Sequence, residues 1–451
     1  MLRWFRATRS EGSAMIIHQA YRYELAPDEV QRHALHCHAG AARWAWNWGL
    51  AVRNKAWRRR GETLDAVALH RLLNRLKRTP RFAWLYQVSK CAPQEALRDL
   101  DRAYQAFWRG RRANRRVGFP RYKKRGRYPD SFRLTGAIKV KPSGIVLPRI
   151  GLVATKESTH KFRGRILSAT CKREADRWYC SLNVEVYRPD PARIDGPVIG
   201  IDRGLATLAV CSDGTRISHP RALERSIRTI RRRARAVTHK QRGSRNQAKA
   251  VVALARAHRR VRNQRIDALH KATTSLAKTK SVIVVEDLHV AGMLRNRRLA
   301  RSIADASWAE FGRQLTYKCQ WYGSRLVVAD RWYPSSKTCS ACGQVTAELS
   351  LSTRIFQCGH CGLLLHRDDN AARNLAGLGL VVAGSSLETL NVCGAGSAGR
   401  LSNEPVELPA VKQKRDHSYA SQQRCDFDGR MAWTSTATLP PTAPSGPASP
   451  S

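Results

Sequence analysis

The sequence predicts a multidomain α+β protein. A C-terminal α/β sheet domain carries an inserted four-cysteine zinc ribbon, and a small N-terminal β-barrel carries an inserted helical lobe. Three observations predict it. After Pro197, strands in series are followed by a helix, a strand, a helix and a strand. Two C-x-x-C pairs fall between the last of those strands and a final helix. Before Pro197, short β-rich runs follow a long helical stretch that is itself preceded by one strand.

The elements follow in order. Residues 15–26 open with MIIHQAYRYEL, whose apolar and polar residues alternate as in a strand. Residues 27–128 are helical from about Pro27 to Arg112 and then run into the basic segment RGRRANRRVGFPRYKKRGR, which Pro120 and Gly126 break into loop. Residues 129–195 hold β-runs separated by Gly, Pro and Asn/Asp signals, which suggest a small barrel completed by the N-terminal strand. Residues 196–335 begin with three strands, PVIGID, LATLAVCS and TRIS, joined at RG and DG turns. A long helical region at about 221–279, the strand SVIVVEDL, a helix at 305–322 and the strand RLVVADRWY complete an α/β sheet of the RNase H type. The zinc ribbon spans 336–365 and the last helix 366–382. Beyond 383 the pattern dissolves, and TSTATLPPTAPSGPASPS has no means of building a core, so 383–451 reads as a disordered tail.

Charge bounds the function. The 451 residues carry 81 Lys/Arg against 34 Asp/Glu, a net charge of +47. An excess this large repels itself in a compact state and calls for a polyanion that neutralises it. No run of 18 apolar residues exists, which argues against a membrane span and makes nucleic acid the expected partner. The segment MLRWFRATRSEGSA lacks the apolar centre of a signal peptide. Residues 1–14 therefore read as an extension ahead of a start at Met15, and the protein as cytoplasmic. Between Arg225 and Lys271 there are 16 Lys/Arg and a single acid, Asp267.

Of the 12 cysteines, eight are scattered singly, Cys37, Cys91 and Cys211 among them, and read as small buried hydrophobes. Cys339, Cys342, Cys358 and Cys361 form two knuckles 15 residues apart, the spacing of a zinc ribbon. Gly343 and Gly362 follow the knuckles where a tight turn needs positive φ. Four thiolates make a closed site, so the zinc is structural. Two redox pairs are the alternative.

Three carboxylates sit where this sheet type can place ligands for hard cations: Asp202 at the end of the first strand, Glu286 at the end of a later one, and Asp368 at the start of the last helix. Taken singly, each has an ordinary role as turn residue, arginine partner or helix cap. Together, two strand rims and a helix N-terminus can converge on a pair of Mg²⁺ ions, which demand oxygen ligands and can support phosphodiester hydrolysis. Asp213, Asp287, Asp330 and Asp369 read as turn, neighbour or cap residues.

These features in this order resemble the TnpB (OrfB) family of transposon-encoded RNA-guided DNA endonucleases, related to type V CRISPR effectors. The matching segments are AYRYELAPDEVQ, the Gly40–Arg43–Asn47–Leu50 pattern, GIDRGLATLAV, VVEDLHVAGM, WAEFGRQLTYKCQWYGSRLVVADRWYPSSKTCSACG, CGHCG and HRDDNAARN. The resemblance covers about residues 15–380. It implies a RuvC-like nuclease domain, a wedge barrel and a helical recognition lobe. It also implies Mg²⁺ on Asp202, Glu286 and Asp368, a guide RNA made from the transposon end, and double-stranded DNA cut beside a short flanking motif. One protein per RNA is expected, with a separate transposase partner joining ends. The basic helices fit an RNA–DNA duplex of about 20 bp or less. Many members carry Asp-x-Asp-x-Asn at the last motif; here His366 replaces the first Asp. Asn370 keeps the two-residue offset from Asp368, and Asp369 is the alternative ligand. The Trp44–Trp48 cluster either stacks bases or packs helices. A catalytically silent RNA-guided regulator of transposition is the alternative to a nuclease.

Overall fold

The computed structural model describes residues 14–350 and 352–384. The expectations for residues 1–13 and for the tail from 385 onward lie outside them.

Strand β1 (Ala14–Leu25) leads into helix α1 (Glu29–Arg60). Asp28 and Gln31 form a reciprocal capping box, and Gly61, in the left-handed region, ends the helix. Helix α2 (Ala66–Leu76), a 3-10 turn at Pro80–Tyr86 and helix α3 (Cys91–Arg112) follow. Then come β2 (Ser131–Leu134), β3 (Lys139–Lys141), β4 (Gly144–Leu147), β5 (Gly151–Ala154), β6 (Arg165–Glu174) and β7 (Arg177–Pro189).

The expected barrel resolves differently in its hydrogen bonding. One antiparallel sheet has the order β1-β7-β6-β2 and a second the order β3-β4-β5. They meet at one corner through a Leu25–Thr155 bridge and the bonds from Ala26 N to Ala154 O (2.8 Å) and from Lys156 N to Glu24 O (2.9 Å). The strands thus form an arc whose outer members, β2 and β3, share no ladder among the described residues. The helices are not a separate lobe in packing: Leu35, Leu50, Leu97 and Leu100 share one core with Phe132, Leu134, Ile145 and Leu182.

The second half contains β8 (Val198–Asp202), β9 (Thr207–Cys211) and β10 (Arg216–Ser218), then α4 (Ala222–Thr238) and α5 (Arg245–Thr279). The long helical region expected at 221–279 is therefore two helices, broken at Gly243, where φ is +82°. Strand β11 (Val282–Glu286), helices α6 (Val290–Met293), α7 (Ala300–Ala306) and α8 (Trp308–Tyr322), and strand β12 (Arg325–Ala329) follow. The hairpin β13 (Ile355–Gln357) and β14 (Leu364–His366) precedes α9 (Arg367–Gly384).

The five-stranded sheet has the order β10-β9-β8-β11-β12, with β8, β11 and β12 parallel and β9 and β10 antiparallel. Its parallel strands are buried on both faces, which is why they read as continuous apolar runs. Ile199, Ile201, Ile283 and Val285 face Leu269, Phe311 and Leu315 of α5 and α8. Val282, Val284 and Val327 face Leu375 of α9.

Candidate functional site

In-register pairing aligns the two strand-end acids. Val285 of β11 pairs with Ile201 of β8, so the next residues along the parallel strands are Glu286 and Asp202. Side chains at equivalent positions of parallel strands share a face. For Asp202 it is also the face of Gly200, two residues back, against which α9 packs. A β-carbon at Gly200 would lie 2.1 Å from Ala372 O and 2.7 Å from Leu375 Cβ, so the missing side chain is what lets α9 seat on the sheet. Asp368, Ala372, Leu375 and Gly379 follow one helical stripe at spacings of four, three and four. That stripe carries Asp368 to the rim where Asp202 and Glu286 end their strands.

The electrostatics agree with this placement. Asp202 is pushed up to about 7 by burial, then by the charges of Glu286 and Asp368, with Arg203 and Arg367 opposing. Like charges in a partly buried site disfavour one another unless a cation intervenes. Oxygen-only donors under mutual repulsion fit a hard divalent ion. The acids are spread more widely than the thiols: among the described residues, the four cysteines are the one His/Cys/Asp/Glu group whose ligand atoms all lie within 4.8 Å.

Asp369, one residue on, is held by Arg216 at 2.6 Å. Asp287 pairs with Arg331 (2.6 Å) and Asp213 with Lys280 (2.7 Å). Asp330 accepts the Trp332 N–H at 2.9 Å. Asp330, and Asp213 through the Thr215 N–H, thus make turn bonds, while Asp369, Asp287 and Asp213 hold ion pairs with residues distant in sequence. His366 lies 4.0 Å from Asp368, and its Nδ1 accepts the Asp368 N–H at 3.3 Å.

The sequence reading missed Arg203, Ser335 and Asn374 at the site and took Asn370 only as a motif position. Arg203, read as part of a turn, reaches under the acids and donates to the Glu286 and Trp308 carbonyls, tying together the ends of β8 and β11 and the start of α8. Ser335 donates to Glu286 Oε1 at 2.9 Å. Asn370 and Asn374 are buried and donate to Thr338 O at 2.7 and 2.6 Å. Their i, i+4 spacing was the available signal, since it puts both on one helix face.

The four cysteines come together. Sγ atoms of Cys339 and Cys361 lie 3.5 Å apart, and those of Cys342 and Cys358 3.6 Å apart. Both separations are far beyond the ~2.05 Å of a disulfide and close to the ~3.8 Å edge of a tetrahedron with ~2.3 Å metal–sulfur bonds. The four thiols all lie within 4.8 Å of one another, which fits one shared ion rather than two separate redox pairs. Gly343 and Gly362 have φ of +77° and +73°, and their N–H groups bond Cys339 O and Cys358 O. Backbone N–H groups of Cys361 and His360 lower the Cys358 thiol, and Cys339 is lowered too, while Cys342 and Cys361 are raised, as expected where closely packed thiols share charge. Phe356, fully buried beneath Cys339 and Cys358, supplies the knuckles' small core. The cluster is a four-cysteine zinc-binding motif.

Elsewhere, several readings are sharpened. Trp44 stacks on Trp48 with centroids 5.9 Å apart and packs edge-on against Trp84 at 5.5 Å, so this cluster joins α1 to the 3-10 turn rather than offering open ring faces. Cys171 and Cys180, counted as scattered, are direct partners across β6 and β7, buried as free thiols. The Arg43–Asn47 pattern is internal: Arg43 pairs with Asp130 (2.8 Å), and Asn47 exchanges bonds with Lys123 (3.0 and 2.7 Å). On α5, Arg256 and Arg259 grip Asp176 while Arg262 grips Glu174, docking the β6–β7 hairpin tip. On α4, Arg225, Arg228, Arg231, Arg232 and Arg235 are exposed. No helix of the described residues is long and apolar enough to cross a membrane.

An acid-rimmed mixed sheet with a zinc-binding ribbon between its last strand and last helix defines the class, that of the transposase-like proteins of IS605-type elements. Residues 181–297 match the OrfB IS605 family described as "Probable transposase", and residues 308–375 match "Cas12f1-like, TNB domain". Residues 15–62 match the OrfB IS605 "Helix-turn-helix domain"; here they form β1 and the single unbroken helix α1. A Mycobacterium tuberculosis protein named "Putative RNA-guided DNA endonuclease" is 37% identical over 448 residues, spanning 88% of this chain and 96% of its own. The Escherichia coli protein InsQ, given the same description, is 31% identical over 409 residues, spanning 86% and 98%. A cryo-EM structure of a Cas12f1–sgRNA–target DNA complex aligns with a TM-score of 0.48 at 14% identity, over 80% of this chain and 99% of that one. The chain belongs to the TnpB (OrfB) family.

Proposed function

We propose that this protein is an RNA-guided, Mg²⁺-dependent DNA endonuclease of an insertion sequence, with Asp202, Glu286 and Asp368 as its catalytic and magnesium-holding carboxylates. What supports the reading is that Asp202 and Glu286 end neighbouring parallel strands in register and that Asp202 feels the charges of both Glu286 and Asp368. A pair of Mg²⁺ ions held there would supply an activated water and stabilisation of the leaving 3′ oxygen. The chain's own residues do the rest. Asp202 and Glu286 are fixed by strand register, and Asp368 is carried in by α9 seated on Gly200. Arg203 braces the floor of the site.

The exposed arginines of α4 and the +47 charge suit a guide RNA and a target duplex recognised through their backbones. The wedge and helical portions would hold the RNA and read a short motif flanking the DNA target. Cleavage of this kind would maintain the element in its host. The zinc ribbon would contact nucleic acid near the cut.

The test is cleavage of matched double-stranded DNA by protein purified with RNA from its own locus, comparing wild type with Asp202→Ala. Cleavage that needs RNA, Mg²⁺ and Asp202 supports the reading. Binding of matched DNA with no cleavage by either protein identifies a regulator instead.

A further inference from the structure

One oxygen of Glu286 is committed. The Ser335 hydroxyl donates to Oε1 at 2.9 Å, and Ser335 is only 4% exposed. The serine is held from several directions. Its carbonyl accepts from Asn374 Nδ2 at 2.7 Å, and its N–H donates to Tyr333 O at 2.8 Å. The Tyr333 hydroxyl in turn donates to Asn374 O at 3.4 Å. Three residues on, the Thr338 carbonyl accepts from both Asn370 and Asn374, and the Ser340 N–H donates to Asn370 Oδ1 at 2.9 Å. The stem between β12 and the first knuckle is thus bolted to α9, the helix that carries Asp368.

We propose that Ser335 is a positioning residue for Glu286. Its hydroxyl fixes the rotation of a carboxylate whose terminal torsion is otherwise broad, leaving Oε2 to face the neighbouring acids and a hard cation. Asn374 sets where that hydroxyl stands, so the orientation of Glu286 is tied to the helix that brings Asp368. This rests on the nuclease reading for its consequence. The hydrogen bonding itself does not depend on that reading. Groups that orient a metal's carboxylate ligands commonly change metal affinity 10- to 100-fold when removed.

The experiment uses the protein with its guide RNA as wild type, Ser335→Ala, Ser335→Thr and Asp202→Ala. Site-bound Mn²⁺, counted by electron paramagnetic resonance, is the fraction lost in Asp202→Ala. The Mg²⁺ dependence of cleavage, zinc content and target affinity are measured alongside. Ser335→Ala is expected to weaken site-bound Mn²⁺ about tenfold and to raise the half-saturating Mg²⁺ by a similar factor. Zinc and target affinity should stay unchanged, and Ser335→Thr should recover most of the loss. Mn²⁺ affinity within about twofold of wild type in Ser335→Ala overturns the proposal. So does a loss accompanied by zinc release, or one that threonine leaves uncorrected. The Mn²⁺ signal needs no cleavage, so a wild-type complex that binds Mn²⁺ but cuts nothing would sink the nuclease reading while Ser335 is still tested.

Discussion

Gly200 of β8 lies directly beneath Ala372 of α9, so close that a β-carbon would stand 2.1 Å from the Ala372 carbonyl oxygen. The contact sets the height of α9 over the sheet and hence the approach of Asp368 to Asp202. Gly200→Ala should lift the helix, because the clash is with backbone that cannot rotate away. A cost of about 1–3 kcal/mol is expected for overpacking. The larger effect should be on cleavage, which should fall well beyond the loss of folded protein while zinc content stays at one per chain. Wild-type cleavage at full stability would refute this role.

Asp202 makes the metal-free protein sensitive to pH. Its folded value is pushed up to about 7 from an unfolded value near 3.8. A raised carboxylate holds its proton in the native state after the unfolded chain has lost it, so stability from this group is full at low pH. It drains away as pH rises from about 4 through 7. Asp202→Asn should therefore raise the melting temperature at pH 8 in Mg²⁺-free buffer and flatten that slope. Mg²⁺ should raise the wild-type melting temperature and leave the variant nearly unmoved. Thermal unfolding without a chelator, which would strip zinc, reads both effects.

Removing a zinc ligand should cost stability and activity together. Cys339 and Cys358 are buried over Phe356 in a small cluster with Leu349 and Leu363. The metal's binding energy is folding energy for such a site. Cys339→Ser should lose its zinc by native mass spectrometry and melt earlier. A variant retaining one zinc per chain would show that the thiol is not a ligand.

Asp305 caps a helix from a distance. It is 4% exposed, accepts the Leu223 N–H at 3.0 Å, and pairs with Arg265 at 2.9 Å. Arg221, at the N-cap of α4, supplies no side-chain cap of its own. Asp305→Ala strands both the helix end and a partly buried guanidinium, a change that costs up to about 3–5 kcal/mol. The melting temperature should drop accordingly, and hydrogen exchange should rise first in residues 222–226. Exchange unchanged there would show that α4 is held by its packing alone.

Much of this was legible beforehand for a plain reason: local patterns with a fixed period carry local structure. Apolar runs ending in single acids gave β8 and β11, and cysteine spacing gave the ribbon. The errors fell where a pattern cannot see its partner. Helices α4 and α5 share one continuous basic texture, and only their antiparallel packing through Ile230, Ala257 and Val261 shows where the chain turns. The strands of 129–195 announce themselves by β-rich runs between Gly, Pro and Asn/Asp breaks, but whether they close a barrel depends on edge pairing that no single strand encodes. Sequence left Trp44 and Trp48 open between stacking bases and packing helices, because it shows the rings and not the Trp84 that meets Trp44 edge-on.

The sequence by itself pointed to a polyanionic partner, from a charge of +47, and determined the zinc motif, whose ligands are set by turns a few residues long. It also named the acids that end the central strands. Only the tertiary structure decided what those acids meet. Asp368 and Asp369 are neighbours in sequence, yet successive helical residues point about 100° apart. Which one faces Asp202 depends on the stripe of α9 that lies on Gly200, and Arg216 takes the other. Ser335, Asn370 and Asn374 are ordinary polar residues until the ribbon stem is laid against α9. Their bonds join segments 30 to 50 residues apart, and such contacts come from packing, which no local spacing records.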